Sequence, residues 1–214
     1  MGLSIHRAHL RRNLAPMIPP STTQGSDYRK RVKTVFLDRD GVINRKPPEG
    51  DYVKSWEEFE FLPKVPEALR LLKEAGMRLI IVTNQRGIAR GLMTERDLEE
   101  IHKHMLAELA RFQASIDAIY YCPHEEGVCD CRKPRVGLFR QAQQDFPDID
   151  FANSAIIGDS LKDMEAGTRL GSLTIFIADG TEKERLLKEA FAKGIRIDVV
   201  GTSLFEAAEL LTSS

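Results

Sequence analysis

From Val32 onward, short runs rich in β-branched residues alternate with longer amphipathic stretches, and this alternation constrains the fold more than any other feature. Strands that read as unbroken apolar runs are buried on both faces, and helices between them supply the crossovers that parallel pairing needs. Six segments read as strands: Val32 to Leu37, Arg78 to Val82, Ile116 to Tyr121, Ser154 to Ile157, Ser172 to Ile177 and Ile197 to Val200. Helical spacing follows each. Val65, Leu69, Leu72 and Ala75 fall on one face, with Gly76 placed to end that helix, and Thr94 with Asp97 three positions on caps the next, which runs to Phe112. Val136 to Phe146, Leu161 to Leu170, Glu182 to Ala190 and Ser203 to Leu211 complete the set. The expected fold class is α/β, a Rossmann-like three-layer sandwich with a mostly parallel central sheet. No repeat or internal linker divides residues 32–214, which read as one domain.

Composition narrows the function classes. A hydrophobic content of 42% and a charged content of 29% in 214 residues exclude collagen, wholesale disorder and a disulfide scaffold. No run approaches the ~20 apolar residues of a membrane span. With 31 basic and 32 acidic residues the net charge is −1, which argues against a nucleic-acid partner. Residues 1–31 are basic at His6 to Arg12 and rich in Pro, Ser, Thr and Gly from Pro16 to Ser26. No apolar core of a secretory signal follows Arg11-Arg12. This segment reads as a disordered tail or a mis-set start, with a partner-binding arm as the alternative, and a cytoplasmic monomer is the expectation.

In a doubly wound sheet, ligands sit beyond the carboxyl ends of the strands. Asp38-Arg39-Asp40-Gly41 follows the first strand, Thr83-Asn84-Gln85 the second, Arg132-Lys133-Pro134 the third and Gly158-Asp159 the fourth, with Asp163 one turn further on. Each alone is an ordinary turn or cap. Together they offer hard oxygen ligands for Mg²⁺, a carboxylate nucleophile for phosphorus, a second carboxylate for proton transfer, and a hydroxyl and an ammonium for phosphate oxygens.

This series resembles the four motifs of the haloacid dehalogenase superfamily of phosphohydrolases. The resemblance implies Asp38 as nucleophile, Asp40 as general acid and base, and Thr83 and Lys133 as phosphate holders. It also implies Mg²⁺ held by Asp38, the main-chain carbonyl of Asp40, and Asp159, with Asp163 in support. Aspartate at position 40 marks the members that hydrolyse phosphate esters rather than carbon–halogen bonds. About 45 residues separate Asp38 from Thr83, too few for a separate cap domain, so loops must supply specificity.

The three cysteines all fall within ten residues, at Cys122, Cys129 and Cys131, with His124 among them. A Cys₃His set fits a closed, structural Zn²⁺ site with no position left for a reactive water. Arg132 and Lys133 follow directly, so a zinc-binding loop would position the phosphate-binding lysine. This loop, together with Thr83-Asn84-Gln85-Arg86-Gly87-Ile88-Ala89-Arg90-Gly91, resembles the D-glycero-D-manno-heptose 1,7-bisphosphate 7-phosphatases. That resemblance implies substrate contacts from Asn84, Gln85, Arg86, Arg132 and the Lys46–Glu49 stretch, and a sugar bisphosphate as partner. Two features depart from it: the loop is short between His124 and Cys129, and Ser160 stands where lysine is usual. Histidinol-phosphate phosphatases share the motifs and remain the enzymatic alternative, beside another small-molecule sugar phosphatase.

Overall fold

A computed structural model describes residues 32–178 and 180–213; the tail expectation for residues 1–31 lies outside the described residues. Six parallel strands form one sheet in the order β3-β2-β1-β4-β5-β6. They are β1 (Thr34–Leu37), β2 (Arg78–Asn84), β3 (Ala118–Cys122), β4 (Ser154–Gly158), β5 (Leu173–Ile177) and β6 (Val199–Gly201). The helices are α1 (Val65–Glu74), α2 (Glu95–Arg111), α3 (Gly137–Asp145), α4 (Leu161–Leu170), α5 (Gly180–Ala192) and α6 (Leu204–Thr212).

Side-chain alternation in the central strands assigns the layers. Val35 and Leu37 of β1 face a core shared with Leu69 and Leu72 of α1, Leu98 and Met105 of α2, and Ala207 and Leu211 of α6. Phe36, between them, faces Leu138 and Phe139 of α3 on the opposite side. Met164 of α4 and Ala190 of α5 cover Phe176 of β5 on that second side. Helices on both faces explain why every residue of β1 and of β4 is buried. No helix among the described residues is long and apolar enough to cross a membrane.

The boundaries differ from the sequence reading where polar residues continue a ladder. β2 extends to Asn84 and β3 to Cys122, because Thr83 pairs with Tyr121 and Asn84 with Cys122 beyond the apolar run. β6 begins at Val199 and ends at Gly201, and α5 begins at Gly180. The Thr94–Asp97 capping box is present, and Gly76 takes the left-handed conformation after α1.

Strand order reverses between β1 and β4: the chain winds outward from β1 through β2 and β3, then returns beside β1. Such a switch point opens a crevice at the carboxyl end of the sheet. Asp38 and Asp159 follow β1 and β4 directly, on either side of it.

Candidate active site

Asp38 leaves β1 with its main-chain N–H still donating to Ile157 of β4, at 2.9 Å. The turn that follows is closed by Arg39, whose carbonyl accepts from the N–H groups of Val42, Ile43 and Asn44. Gly41 has φ +87°, and a Cβ there would collide with the Asp159 carboxylate. Glycine thus lets the turn after β1 lie directly against the end of β4.

Lys133 is the buried centre of the site. Its ammonium lies 3.0 Å from Asp38 Oδ1 and 2.5 Å from Asp163 Oδ1, and donates to the Val82 carbonyl at 2.6 Å. Burial opposes its charge, but Asp163 and Asp38 outweigh that and hold it above the usual lysine range. Its backbone is pinned at both ends by one side chain. Lys133 N–H donates to Asn84 Oδ1 at 3.0 Å, and Asn84 Nδ2 donates to the Lys133 carbonyl at 3.2 Å. Asn84 therefore sets the lysine's place. Asp163 caps α4 through the main-chain N–H of Ser160, which fixes the second partner of the lysine.

Burial pushes the Asp38 carboxyl up to about 7; Lys133 pulls it down, while Asp163, Asp159 and Asp40 add to the rise. Asp159 is raised by burial as well, against the pull of Lys46, whose ammonium lies 2.6 Å from its Oδ2. One oxygen each of Asp38, Asp159 and Asp163 falls within 4.8 Å of the others. Two carboxyls held above their ordinary range mark a shortage of positive charge, and a hard divalent cation fits that donor set.

Asp40 is held differently. Burial raises its pKa, but Arg39, Asn44 and Gln85 more than offset this, leaving it below the usual carboxylate range. Asn44 Nδ2 donates to Oδ1 and Gln85 Nε2 to Oδ2, both at 2.9 Å. The same Gln85 amide donates to Thr83 Oγ1 at 3.0 Å, which links the ends of β1 and β2. The arginines implicated by sequence pair at the rim. Arg86 donates to the Tyr52 hydroxyl and to Glu125, each at 3.1 Å, and Arg90 shares Glu125 at 3.6 Å. Arg132 reaches the His124 carbonyl at 3.5 Å, while its Nε is buried without a partner. Sequence reasoning assigned no role to Arg39, Asn44 or His102; Arg39 Nη1 lies 3.4 Å from His102 Nε2.

The sulfur atoms of Cys122, Cys129 and Cys131 stand 3.1–3.5 Å apart, and His124 Nδ1 lies 3.1 Å from Cys131 and 3.7 Å from Cys122. These are too long for a disulfide bond of about 2.05 Å. They approach the edges, about 3.8 Å, of a tetrahedron with metal–sulfur distances of 2.3 Å. Burial raises Cys122, with help from Cys129 and against a hydrogen bond from Cys131; burial, Cys129 and Cys122 raise Cys131; and Cys129, despite burial, is drawn down to about 6 by donors including Cys131. Three thiols that cannot all ionise by themselves fit a Zn²⁺ ion, whose charge would compensate them.

The family model described as Polynucleotide kinase 3 phosphatase matches residues 33–186. A D-glycero-alpha-D-manno-heptose-1,7-bisphosphate 7-phosphatase of Campylobacter jejuni is 43% identical over 72% of this chain and 87% of its own. A D-glycero-beta-D-manno-heptose-1,7-bisphosphate 7-phosphatase of Escherichia coli is 45% identical over 64% and 74%. Among solved structures, a D,D-heptose 1,7-bisphosphate phosphatase from B. bronchiseptica, complexed with magnesium and phosphate, superposes with a TM-score of 0.75. It is 34% identical, with 84% of this chain and 98% of that chain covered. The chain belongs to the heptose-1,7-bisphosphate 7-phosphatase family of the haloacid dehalogenase superfamily, and is a phosphomonoester hydrolase.

Proposed function

We propose that this enzyme removes the 7-phosphate of D-glycero-D-manno-heptose 1,7-bisphosphate, with Mg²⁺ at the aspartate cluster and structural Zn²⁺ at the Cys₃His cluster. The observation that carries this reading is the convergence of Asp38, Lys133 and Asp159 at the switch point, together with relatives at 43% and 45% identity whose names state that reaction. Asp38, Asp159 and the Asp40 carbonyl would hold Mg²⁺, whose charge favours ionised Asp38 and offsets charge on the transferring phosphoryl oxygens.

An Asp38 oxygen attacks phosphorus in line, and the bond from phosphorus to the sugar oxygen breaks. Asp40, held ionised at rest by its donors, takes up a proton as the negatively charged phosphate binds beside it and gives that proton to the leaving oxygen. Water then attacks the aspartyl-phosphate, Asp40 takes its proton, and inorganic phosphate leaves with Asp38 restored. Lys133 and Thr83 bind the non-bridging oxygens, and the buried ammonium acts where charge stabilisation is strongest. Arg86 and Arg132 complete the proposed substrate-facing set, while Gln85, fully buried, acts through Asp40 and Thr83.

The test is a steady-state comparison over both anomers of the heptose bisphosphate, histidinol phosphate and a 3′-phosphorylated oligonucleotide. One heptose anomer is expected to lead in kcat/KM by at least about tenfold. A higher value for histidinol phosphate overturns the heptose assignment, and a higher value for the oligonucleotide moves the enzyme to nucleic-acid ends.

Lys46 supplies a separate test of the metal site. Its ammonium lies against Asp159, where it competes with a bound cation. Lys46→Met is expected to bind Mg²⁺ about three- to tenfold more tightly by calorimetry, in line with loss of a partly exposed opposing charge. Substrate KM should rise in the same variant, since the lysine no longer meets a phosphorylated sugar. Unchanged or weaker Mg²⁺ binding in Lys46→Met would overturn the competition between Lys46 and the cation for Asp159.

A further inference from the structure

We propose that Arg39 and His102 form a buried brace that aims the Asp40 carboxyl group, which makes both of them positioning residues for protonation of the leaving oxygen. The inference rests on the reading of Asp40 as general acid and base. Arg39 is fully buried. Its Nη2 lies 2.9 Å from Asp40 Oδ1 and 3.2 Å from Oδ2, and its Nε lies 3.2 Å from Oδ1. Both carboxyl oxygens are therefore fixed by one planar fork.

The far side of the guanidinium faces His102, with Nη1 at 3.4 Å from Nε2. Arginine keeps its charge and has no acceptor, so this His102 nitrogen must present its lone pair. The ring is then the neutral tautomer with hydrogen on Nδ1. Burial and the Arg39 charge both disfavour a protonated ring, in agreement with that assignment. His102 sits on a rigid support: α2 begins in a capping box and is anchored by Leu98, Ile101, Met105 and Leu109, all buried.

Stability alone does not account for this arrangement. Replacing a buried ion pair by well-packed apolar groups is often neutral or stabilising, so its worth lies in a fixed geometry. The other side of Asp40 tells the same story. Asn44 and Gln85 turn their amide nitrogens toward the carboxylate and leave their buried oxygens, Asn44 Oδ1 and Gln85 Oε1, without partners. Each amide gives up one favourable contact to donate to Asp40.

A series of aryl phosphates, graded in leaving-group acidity from phenol to dinitrophenol, tests the brace without depending on the sugar assignment. A poor leaving group needs the proton from Asp40, whereas an activated one departs without it. In kcat/KM, His102→Leu is expected to lose at least about tenfold on phenyl phosphate and less than about threefold on 2,4-dinitrophenyl phosphate. His102→Gln restores an acceptor and should regain the shallow wild-type dependence. Asp40→Asn is the reference and should show the steepest dependence. A steep Asp40→Asn series beside an unchanged His102→Leu series overturns the brace alone. A shallow Asp40→Asn series overturns the acid–base reading and the brace with it. If His102→Leu fails to fold, Arg39→Lys carries the same test, because lysine keeps the charge and loses the fork.

Discussion

Asp38→Asn is expected to reduce turnover by on the order of 10⁴-fold or more, while the metal-free protein melts at a higher temperature than wild type. The first effect follows from loss of the proposed nucleophile, for which an amide oxygen is no substitute. The second follows from the cluster's own electrostatics. Asp38 shares its surroundings with Asp159 and Asp163, with ligand atoms within 4.8 Å, and burial pushes its carboxyl up to about 7.

The linkage has a definite sign. Asp38 titrates near 3.8 when unperturbed and near 7 in the folded chain, so the folded state holds the proton more tightly. Its contribution to stability is fully present below about pH 4 and is lost as pH rises through 7. The shift sets an upper bound of about 4 kcal/mol on that loss in the metal-free protein. Asparagine lacks the slope, while its Oδ1 can still accept from the Arg39 N–H and Lys133, now 2.7 and 3.0 Å from Asp38 Oδ1. Melting curves at pH 5 and pH 8, with chelator and with excess Mg²⁺, separate these contributions. Mg²⁺ should stabilise wild type more than the variant, since ligand binding to the native state alone raises its stability. Residual turnover near wild type would exclude Asp38 as nucleophile. Equal melting temperatures at pH 8 without metal would show that the carboxylate carries no electrostatic cost.

The strand ends were legible in the sequence because two signals coincide there: an apolar run stops, and a short polar segment with glycine begins. Asp38, Thr83 and Asp159 were found in this way, and Lys133 through the Arg-Lys-Pro segment after the cysteines. Strand order was not legible, since nothing local in β4 states that it pairs with β1 rather than β3. Asn84 and Gln85 read as site residues, but their partners were hidden. Asn84 bonds the Lys133 backbone 49 positions away, and Gln85 reaches Asp40 across 45. Arg39 read as a turn residue because burial of a charge between two aspartates depends on what packs behind it. His102 did leave a signal. It falls on the apolar stripe Leu98, Ile101, Met105 and Leu109, where a polar ring needs an explanation.

Removing Cys129, a proposed zinc ligand, as Cys129→Ala, is expected to abolish zinc binding and lower kcat/KM by about 10²-fold, yet leave the sheet intact. The segment between Cys122 and Lys133 has little apolar material of its own: Val128 at its tip is 70% exposed, and Cys122 is its one fully buried side chain. Hydrogen bonds from Gln85 N–H to the Cys122 carbonyl and from Ala89 N–H to the Pro123 carbonyl fix where the loop leaves β3. Gly137 N–H to the Asp130 carbonyl fixes where it enters α3. What lies between is held by the Cys₃His cluster and by peripheral contacts, Arg86 with Glu125 and Lys162 with Glu126, and Lys133 stands two residues after Cys131. Asn84 limits the damage, because it grips the Lys133 backbone from β2 whether or not the loop is ordered. The expected loss is therefore graded, well short of that for Asp38→Asn. Metal analysis should fall from about one zinc per chain to none, and hydrogen exchange should quicken across residues 123–132 with β1 and β4 unchanged. Replacing Zn²⁺ by Cd²⁺ in wild type separates structure from chemistry, since thiolates bind both and a closed site offers neither an open position. Full activity with Cd²⁺ is the expected result; an ordered loop with lost activity would place the metal in the reaction itself.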